Sequence, residues 1–239
     1  MNVLNVENIS KSYPGFQLQS ASFHVTQGTI MGFIGRNGAG KTTTLKAIMN
    51  MVPVEEGRVC FFGMDMQENE SAIKQRIGYA GGAVDYYKRK SIRTLLDTTK
   101  RFYSSWDDTL CEKYLRLFSL DPNKTPGTLS EGMKVKLNLT IALSHGAELL
   151  ILDEPTSGLD PVSREELLEI FRYLKTQGIS ILFSTHITSD LDKCADEITY
   201  IREGRILYTG SIQGFTQGQS LEDTMIRHEK EAFHEKLDL

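Results

Sequence analysis

Between Val3 and Ile9, and again between Gln17 and Val25, apolar and polar residues alternate, with Pro14-Gly15 as a turn signal between the two runs. The period of two predicts an antiparallel hairpin. The pattern then changes. Ile30-Met31-Gly32-Phe33-Ile34 is a continuous apolar run, and Leu45, Ile48 and Met49 recur at helical spacing behind a glycine-rich stretch. This reads as strand, glycine loop and helix. Pro53-Val54-Glu55-Glu56-Gly57 is a turn, Arg58 to Phe62 a strand, Glu68 to Arg76 a helix, and Ile77-Gly78-Tyr79-Ala80 a short buried strand running into Gly81-Gly82.

From Ser91 onward the period becomes helical. Ile92, Leu95, Leu96, Phe102 and Tyr103 repeat at helical spacing, as do Leu110, Tyr114, Leu115 and Phe118. This helical insert reaches Asp121-Pro122 and the loop Lys124 to Thr128, after which Ser130 can cap a helix continuing through Ala142. Strands return at Leu149-Leu150-Ile151-Leu152 and Ile179 to Phe183, separated by a helix from Ser163 to Thr176 with Leu167, Leu168, Ile170, Phe171 and Leu174 as its buried stripe. Ile198 to Ile201 and Arg205 to Tyr208 flank Glu203-Gly204, a hairpin signal. Strands alternating with helices imply an α/β fold with a mostly parallel sheet, whose ligands gather at the carboxyl ends of the strands.

Chemistry enters at those strand ends. Gly35-Arg36-Asn37-Gly38-Ala39-Gly40-Lys41-Thr42-Thr43 fits G-x-x-x-x-G-K-[ST] between a strand and a helix. Small residues let the backbone curl so that successive N–H groups face one hollow at a helix N-terminus, where a polyphosphate fits. Lys41 then reaches the β/γ-phosphates, and the Thr42 hydroxyl takes a place on Mg²⁺. Asp153 and Glu154 follow the next apolar strand, so the sheet aims two carboxylates at the same edge. Because neighbours on an extended chain face opposite ways, Asp153 is assigned to the Mg²⁺ shell and Glu154 to the attacking water. His186, after the strand ending in Ser184-Thr185, reads either as a hydrogen-bonded loop histidine or as a catalytic one. Tyr13 is either a strand-end aromatic packed on a neighbour or a stacking surface for a flat base.

Composition adds exclusions. A chain of 239 residues, 40% hydrophobic, can form one large domain or a domain with an inserted subdomain. The formal net charge of -4 argues against a nucleic-acid surface. Cys60, Cys111 and Cys194 form no C-x-x-C pair, which predicts free thiols and no metal cluster. No window approaches the roughly 18 continuous apolar residues of a membrane span, and no signal segment opens the chain.

Taken together, the phosphate loop, Leu129-Ser130-Glu131-Gly132-Met133, Leu150-Ile151-Leu152-Asp153-Glu154, Ser157-Gly158-Leu159-Asp160 and Thr185-His186 occur in an order that resembles the ATP-binding subunit of an ABC transporter. The resemblance spans about residues 3 to 226. The stretch from Phe102 to Asp121, with Trp106 and Asp107, and Ser184 to Leu191 further resemble bacterial exporter or drug-resistance ATPases. It implies a P-loop NTPase (RecA-like) core, made of residues 1–85 and 149–215. An N-terminal antiparallel β subdomain, a helical subdomain at about 86–148 and a charged tail at 227–239 complete the organisation. It also implies roles. Tyr13 stacks on adenine, Thr43 touches the α-phosphate, Glu154 is the general base and His186 contacts the γ-phosphate. Ser130 and Gly132 meet the ATP of a second subunit in trans. The active form is then a head-to-tail homodimer or heterodimer with Asp160 at the subunit boundary. The partner is a separately encoded transmembrane permease, the location the cytoplasmic face of the membrane, and the ligands ATP and Mg²⁺.

Two positions depart from the family pattern. Gly82 stands where the family usually has a glutamine that approaches Mg²⁺ and senses the membrane partner, and Asp85 in the same loop reads either as a substitute or as a surface aspartate. In the signature, Glu131 replaces the usual first glycine and Met133 the usual glutamine. A carboxylate beside a phosphate is repelled, so Glu131 is expected to turn away from nucleotide, toward the helical insert. These departures keep open a nucleotide-dependent switch with little turnover, and a soluble non-transport ABC ATPase is the remaining alternative. The segment from Glu222 to Leu239, with Met225, Ile226, Phe233 and Leu237 among charges, is expected to form a solvated terminal helix.

Overall fold

A computed structural model describes residues 1–81 and 89–237; Gly82 and Asp85 lie outside the described residues. The chain opens with strands β1 (Asn2–Tyr13) and β2 (Phe16–Thr26), a hairpin longer than its alternating core. Next come β3 (Ile30–Ile34), α1 (Lys41–Ile48), β4 (Glu56–Phe61), β5 (Met64–Asp65), α2 (Glu70–Lys74) and β6 (Ile77–Gly81). Helices α3 (Ile92–Thr99), α4 (Asp108–Leu117) and α5 (Glu131–Ser144) form the insert. The chain continues through β7 (Leu149–Asp153), α6 (Pro161–Thr176), β8 (Ser180–Thr185), α7 (Thr188–Cys194), β9 (Glu197–Arg202), β10 (Arg205–Ser211), α8 (Ile212–Thr216) and α9 (Leu221–Leu237).

The strands form two sheets. The first is four-stranded, ordered β2-β1-β4-β5, and antiparallel throughout. The second is six-stranded, ordered β10-β9-β3-β8-β7-β6, parallel except for the β9/β10 hairpin at its edge. Alternate residues of the parallel strands feed different cores. Ile30 and Ile34 of β3, with Leu150 and Leu152 of β7, pack with the helices of the insert and with α6. Met31 and Phe33, with Leu149 and Ile151, pack with α1 and the antiparallel sheet. A strand buried on both faces reads as an uninterrupted apolar run, which is what these segments show.

Side-chain caps set the helix starts. Ser130 accepts from Met133 N–H, as the sequence predicts, and Ser91 likewise accepts from Thr94 N–H, a cap the sequence reading does not name. Helix α6 begins earlier than expected, at Pro161. Asp160 caps it by accepting from the N–H groups of Val162 and Ser163, and proline at the first helical position costs no hydrogen bond.

The solvated terminal helix needs correction. Leu221 and Thr224 are buried and Met225 packs on the core, so the inner face of α9 is docked. Tyr200 Oη donates to Glu229 at 2.7 Å, and Arg202 donates to the carbonyl of His228 at 3.0 Å. Among the described residues no helix is long and apolar enough to cross a membrane.

Candidate functional site

Register brings the chemistry to one edge. Ile34, the last residue of β3, pairs with Thr185 on one side and Tyr200 on the other, and Asp153 at the end of β7 pairs with Ser184. The loop 35–40 therefore emerges beside the ends of β7 and β8. Gly40 has φ +112°, and a Cβ there would lie 2.6 Å from the Phe16 ring, so only glycine lets the loop enter α1 at this point. The Gly204 N–H, in the β9/β10 turn, binds the carbonyl of Ala39 at 2.9 Å and fastens the loop from outside.

Lys41 is buried and folded along the loop. Its ammonium donates to the carbonyls of Gly35 at 2.8 Å and Arg36 at 3.2 Å, and lies 3.1 Å from Glu154 Oε1. The other oxygen of Glu154 faces His186 Nδ1 at 2.9 Å. A carboxylate only accepts, so Nδ1 carries the hydrogen and Nε2 remains available. Thr42 Oγ1 donates to Asp153 Oδ2 at 2.7 Å. Ser184 Oγ joins the two carboxylate residues, donating to Asp153 Oδ1 at 2.5 Å and accepting from Glu154 N–H at 2.9 Å.

The two carboxylates do diverge, though for a different reason from strand alternation. Glu154 has φ +52°, a left-handed backbone that turns its side chain into the cleft immediately after the extended Asp153. Such strained residues cluster at functional sites, and here the Ser184 bond helps hold the turn.

The cleft has a volume of ≈ 830 Å³. Of the predicted residues, Tyr13, Asn37, Gly38, Gly40, Lys41, Thr42, Thr43, Glu154 and His186 line it. Gly35, Arg36 and Ala39 are not among its lining residues; the Arg36 guanidinium instead lies 3.5 Å from Glu229 of α9. Ser130, Gly132 and Asp160 are not at the cleft either. Ser130 and Asp160 cap neighbouring helices, and Gly132 lies beside Leu159 and Ser163. Hydrogen bonds from Ser163 hold the Asp160 carboxyl below the usual carboxylate range. Glu131 pairs with Lys134 on its own helix at 2.6 Å and is exposed.

The sequence reading gives no cleft role to Gly15, Phe16, Lys46, Val52 and Ser157, which also line the cleft, nor a bridging role to Ser184. A hydroxyl residue at the end of the strand next to Asp153 is a usable signal only once the strand order is known.

The Thr42 and Asp153 oxygens suit a hard cation. Among the described residues no cluster of three or more His, Cys, Asp and Glu could cage a metal. Mg²⁺ needs no such cage, because it is held by one or two protein oxygens together with phosphates and water. The donor set therefore fits Mg²⁺ delivered with a nucleotide.

Residues 18–157 match the family described as ABC transporter. The chain is 32% identical over 209 residues to the bacitracin transport ATP-binding protein BcrA of Bacillus licheniformis, covering 86% of this chain and 68% of that one. It is 30% identical over 230 residues to the lantibiotic transport ATP-binding protein SrtF of Streptococcus pyogenes, covering 95% of this chain and 99% of the other. Among solved structures, an ATP-binding subunit of an ABC transporter superimposes with a TM-score of 0.85 at 26% identity, over 94% of this chain and 98% of that one. A dimeric ATP-binding cassette bound to ADP and Pi, at 18% identity with a TM-score of 0.78, covers 89% of this chain and 100% of its own, and shares the fold.

Proposed function

We propose the working parts of this chain from the premise that it belongs to the ABC transporter family, as an ATP-binding subunit whose ATP hydrolysis drives transport. One observation carries the assignment of parts: Lys41, Glu154 and His186 meet within hydrogen-bonding distance at the wall of a single cleft that the phosphate loop also lines. ATP lies in that cleft with its base on Tyr13. The loop N–H groups and Lys41 take the phosphates, and Thr43 reaches the α-phosphate. Glu154 accepts the proton of the attacking water. His186 holds the base through Nδ1 and presents Nε2 to the γ-phosphate. Thr42 and Asp153 would hold Mg²⁺, which would supply charge neutralisation at the phosphates.

Ser130 and Gly132 serve a different ATP, the one in a second subunit. Support for this comes from their absence from the lining of the chain's own cleft and from their place at the start of α5, whose first-turn N–H groups not taken by Ser130 can meet an anion. Head-to-tail pairing of two copies, or of this chain with a related one, completes each site, with Asp160 at the boundary. A separately encoded permease converts closure and opening into movement of cargo, at the cytoplasmic face of the membrane. The names of two relatives, one for bacitracin and one for lantibiotic transport, suggest cargo of the peptide-antibiotic class.

The test is steady phosphate release by the purified chain with Mg²⁺ and ATP, compared with Lys41→Ala. Sustained turnover that disappears in the variant supports a motor. A single burst stoichiometric with protein supports the switch instead.

A further inference from the structure

The strand end that carries Tyr13 is held by a residue far away in the sequence. Glu55 lies in the connection between α1 and β4, whose Val52 lines the cleft. Its backbone N–H binds the carbonyl of Ser10 at 2.9 Å. One carboxylate oxygen accepts from Ser12 N–H at 3.1 Å and the other from Ser12 Oγ at 3.0 Å. Lys11 Nζ lies 3.4 Å from Oε1 of the same carboxylate, and 5.6 Å from the centroid of the Tyr13 ring. The bonds from Ser12, backbone first and hydroxyl second, lower the Glu55 carboxyl below its ordinary range, so it is charged at neutral pH.

This arrangement does not look like an ordinary surface ion pair, which contributes little by itself. The final residues of β1 project toward the turn at Pro14-Gly15, and Tyr13 is 41% exposed. A half-exposed ring at a strand end has several rotamers open to it, and ordering such a side chain on binding costs affinity. Glu55 removes part of that freedom beforehand. It binds the backbone and side chain of the residue immediately before Tyr13, and it holds the cation that sits against the ring. Lys11 and Tyr13 are two apart on one strand and so share a face, which is how the ammonium reaches the aromatic ring.

We propose that Glu55 is a positioning residue for base recognition: acting through Ser12 and Lys11, it fixes the Tyr13 ring in the orientation that stacks on the purine of ATP. This inference rests on the reading of Tyr13 as the base platform. The same connection supplies Val52 to the cleft wall, so the end of α1 opposite the phosphates and the base platform are tied by one short segment.

The experiment uses the whole chain and two ligands, ATP and inorganic tripolyphosphate, which has the phosphates without the base. Glu55→Ala is expected to weaken ATP about three- to tenfold while leaving tripolyphosphate within twofold of the wild type. Glu55→Gln, which keeps an acceptor for Ser12 but loses the pairing with Lys11, is expected to fall between the two. In a Tyr13→Ala background the Glu55→Ala effect should vanish. Equal losses for both ligands, unchanged ATP affinity, or an effect that persists without Tyr13 each overturn the proposal. The premise fails separately: Tyr13→Ala with unaltered ATP affinity removes Tyr13 as the platform. A Tyr13→Ala loss without a Glu55→Ala loss removes only Glu55. Thermal melts of all variants identify any that fail to fold, and for these the Glu55→Gln and Lys11→Met variants carry the comparison.

Discussion

The ammonium of Lys41 lies 3.1 Å from Glu154 Oε1, so the cation proposed to grip phosphate and the carboxylate proposed as base share one charge contact. Glu154 is only partly exposed and is held on its other oxygen by His186. Replacing it with glutamine keeps the size and one acceptor while removing the basic oxygen. Glu154→Gln should therefore bind ATP with near-normal affinity and lose turnover by roughly 10²–10⁴, the usual worth of a positioned general base. Equilibrium ATP binding and phosphate release, measured on the same preparation, check this. Near-normal turnover would remove Glu154 from that role.

Asp153 presents a separate case because its carboxylate accepts from two hydroxyls, Thr42 and Ser184. Asp153→Asn keeps the shape and weakens the attraction for a dication. The concentration of Mg²⁺ giving half-maximal ATPase activity should rise tenfold or more, while binding of ATP without Mg²⁺ changes little. A titration of activity against Mg²⁺ reads this directly. An unaltered Mg²⁺ midpoint would place the metal elsewhere.

At Gly132 the chain itself sets no steric demand. A Cβ added there meets nothing closer than 3.6 Å, and the residue has no left-handed backbone. Alanine also suits a helix better than glycine, by up to about 1 kcal/mol. Gly132→Ala should leave the melting temperature equal or higher, yet in the Glu154→Gln background it should block ATP-induced dimers seen by light scattering, if, as proposed, the clearance is needed by the nucleotide of a second subunit. Dimers forming as before would show that Gly132 does not meet the partner's nucleotide.

Much of this arrangement is legible in the sequence because its determinants are local. Strand β3, the loop and α1 are contiguous, and the loop carries its own chemistry in Gly35 to Thr43. The cap at Ser130 is read from a single residue and its position. What escapes is set by distant neighbours. The left-handed turn at Glu154 depends on Ser184, which is close only because β7 and β8 pair. The docking of α9 depends on Tyr200 and Arg202, and its buried stripe of Leu221, Thr224 and Met225 is too sparse among charges to stand out as apolar. Lys11 and Glu55 meet across the β1/β4 edge, a contact no local pattern encodes.

His145 supplies a pH dependence that is independent of catalysis. It lies just past α5, almost completely buried, stacked on Tyr103 at 3.9 Å between ring centroids. Its Nδ1 faces the carbonyl of Gln75 at 3.2 Å and so carries the hydrogen, while Nε2 is buried with no partner among the described residues. Gln75 in turn binds the carbonyl of Phe102 and the N–H of Ser104, so the imidazole sits where the helical insert joins the core. Burial pushes the His145 pKa down, only partly offset by the Gln75 hydrogen bond. The sign follows. The unfolded imidazole takes a proton near pH 6.5 while the folded one stays neutral to lower pH, so between those values the unfolded chain binds more protons. Stability is thus fully present above about 6.5 and falls on acidification, by at most about 1.4 kcal/mol per pH unit for this one group. Denaturant melts from pH 7.5 to 5.5 should show a falling midpoint in the wild type. His145→Phe, which keeps the stack and cannot titrate, should start less stable, because the Gln75 carbonyl loses its donor, but decline less over the same range. Parallel declines in the two proteins would assign the acid sensitivity to other groups.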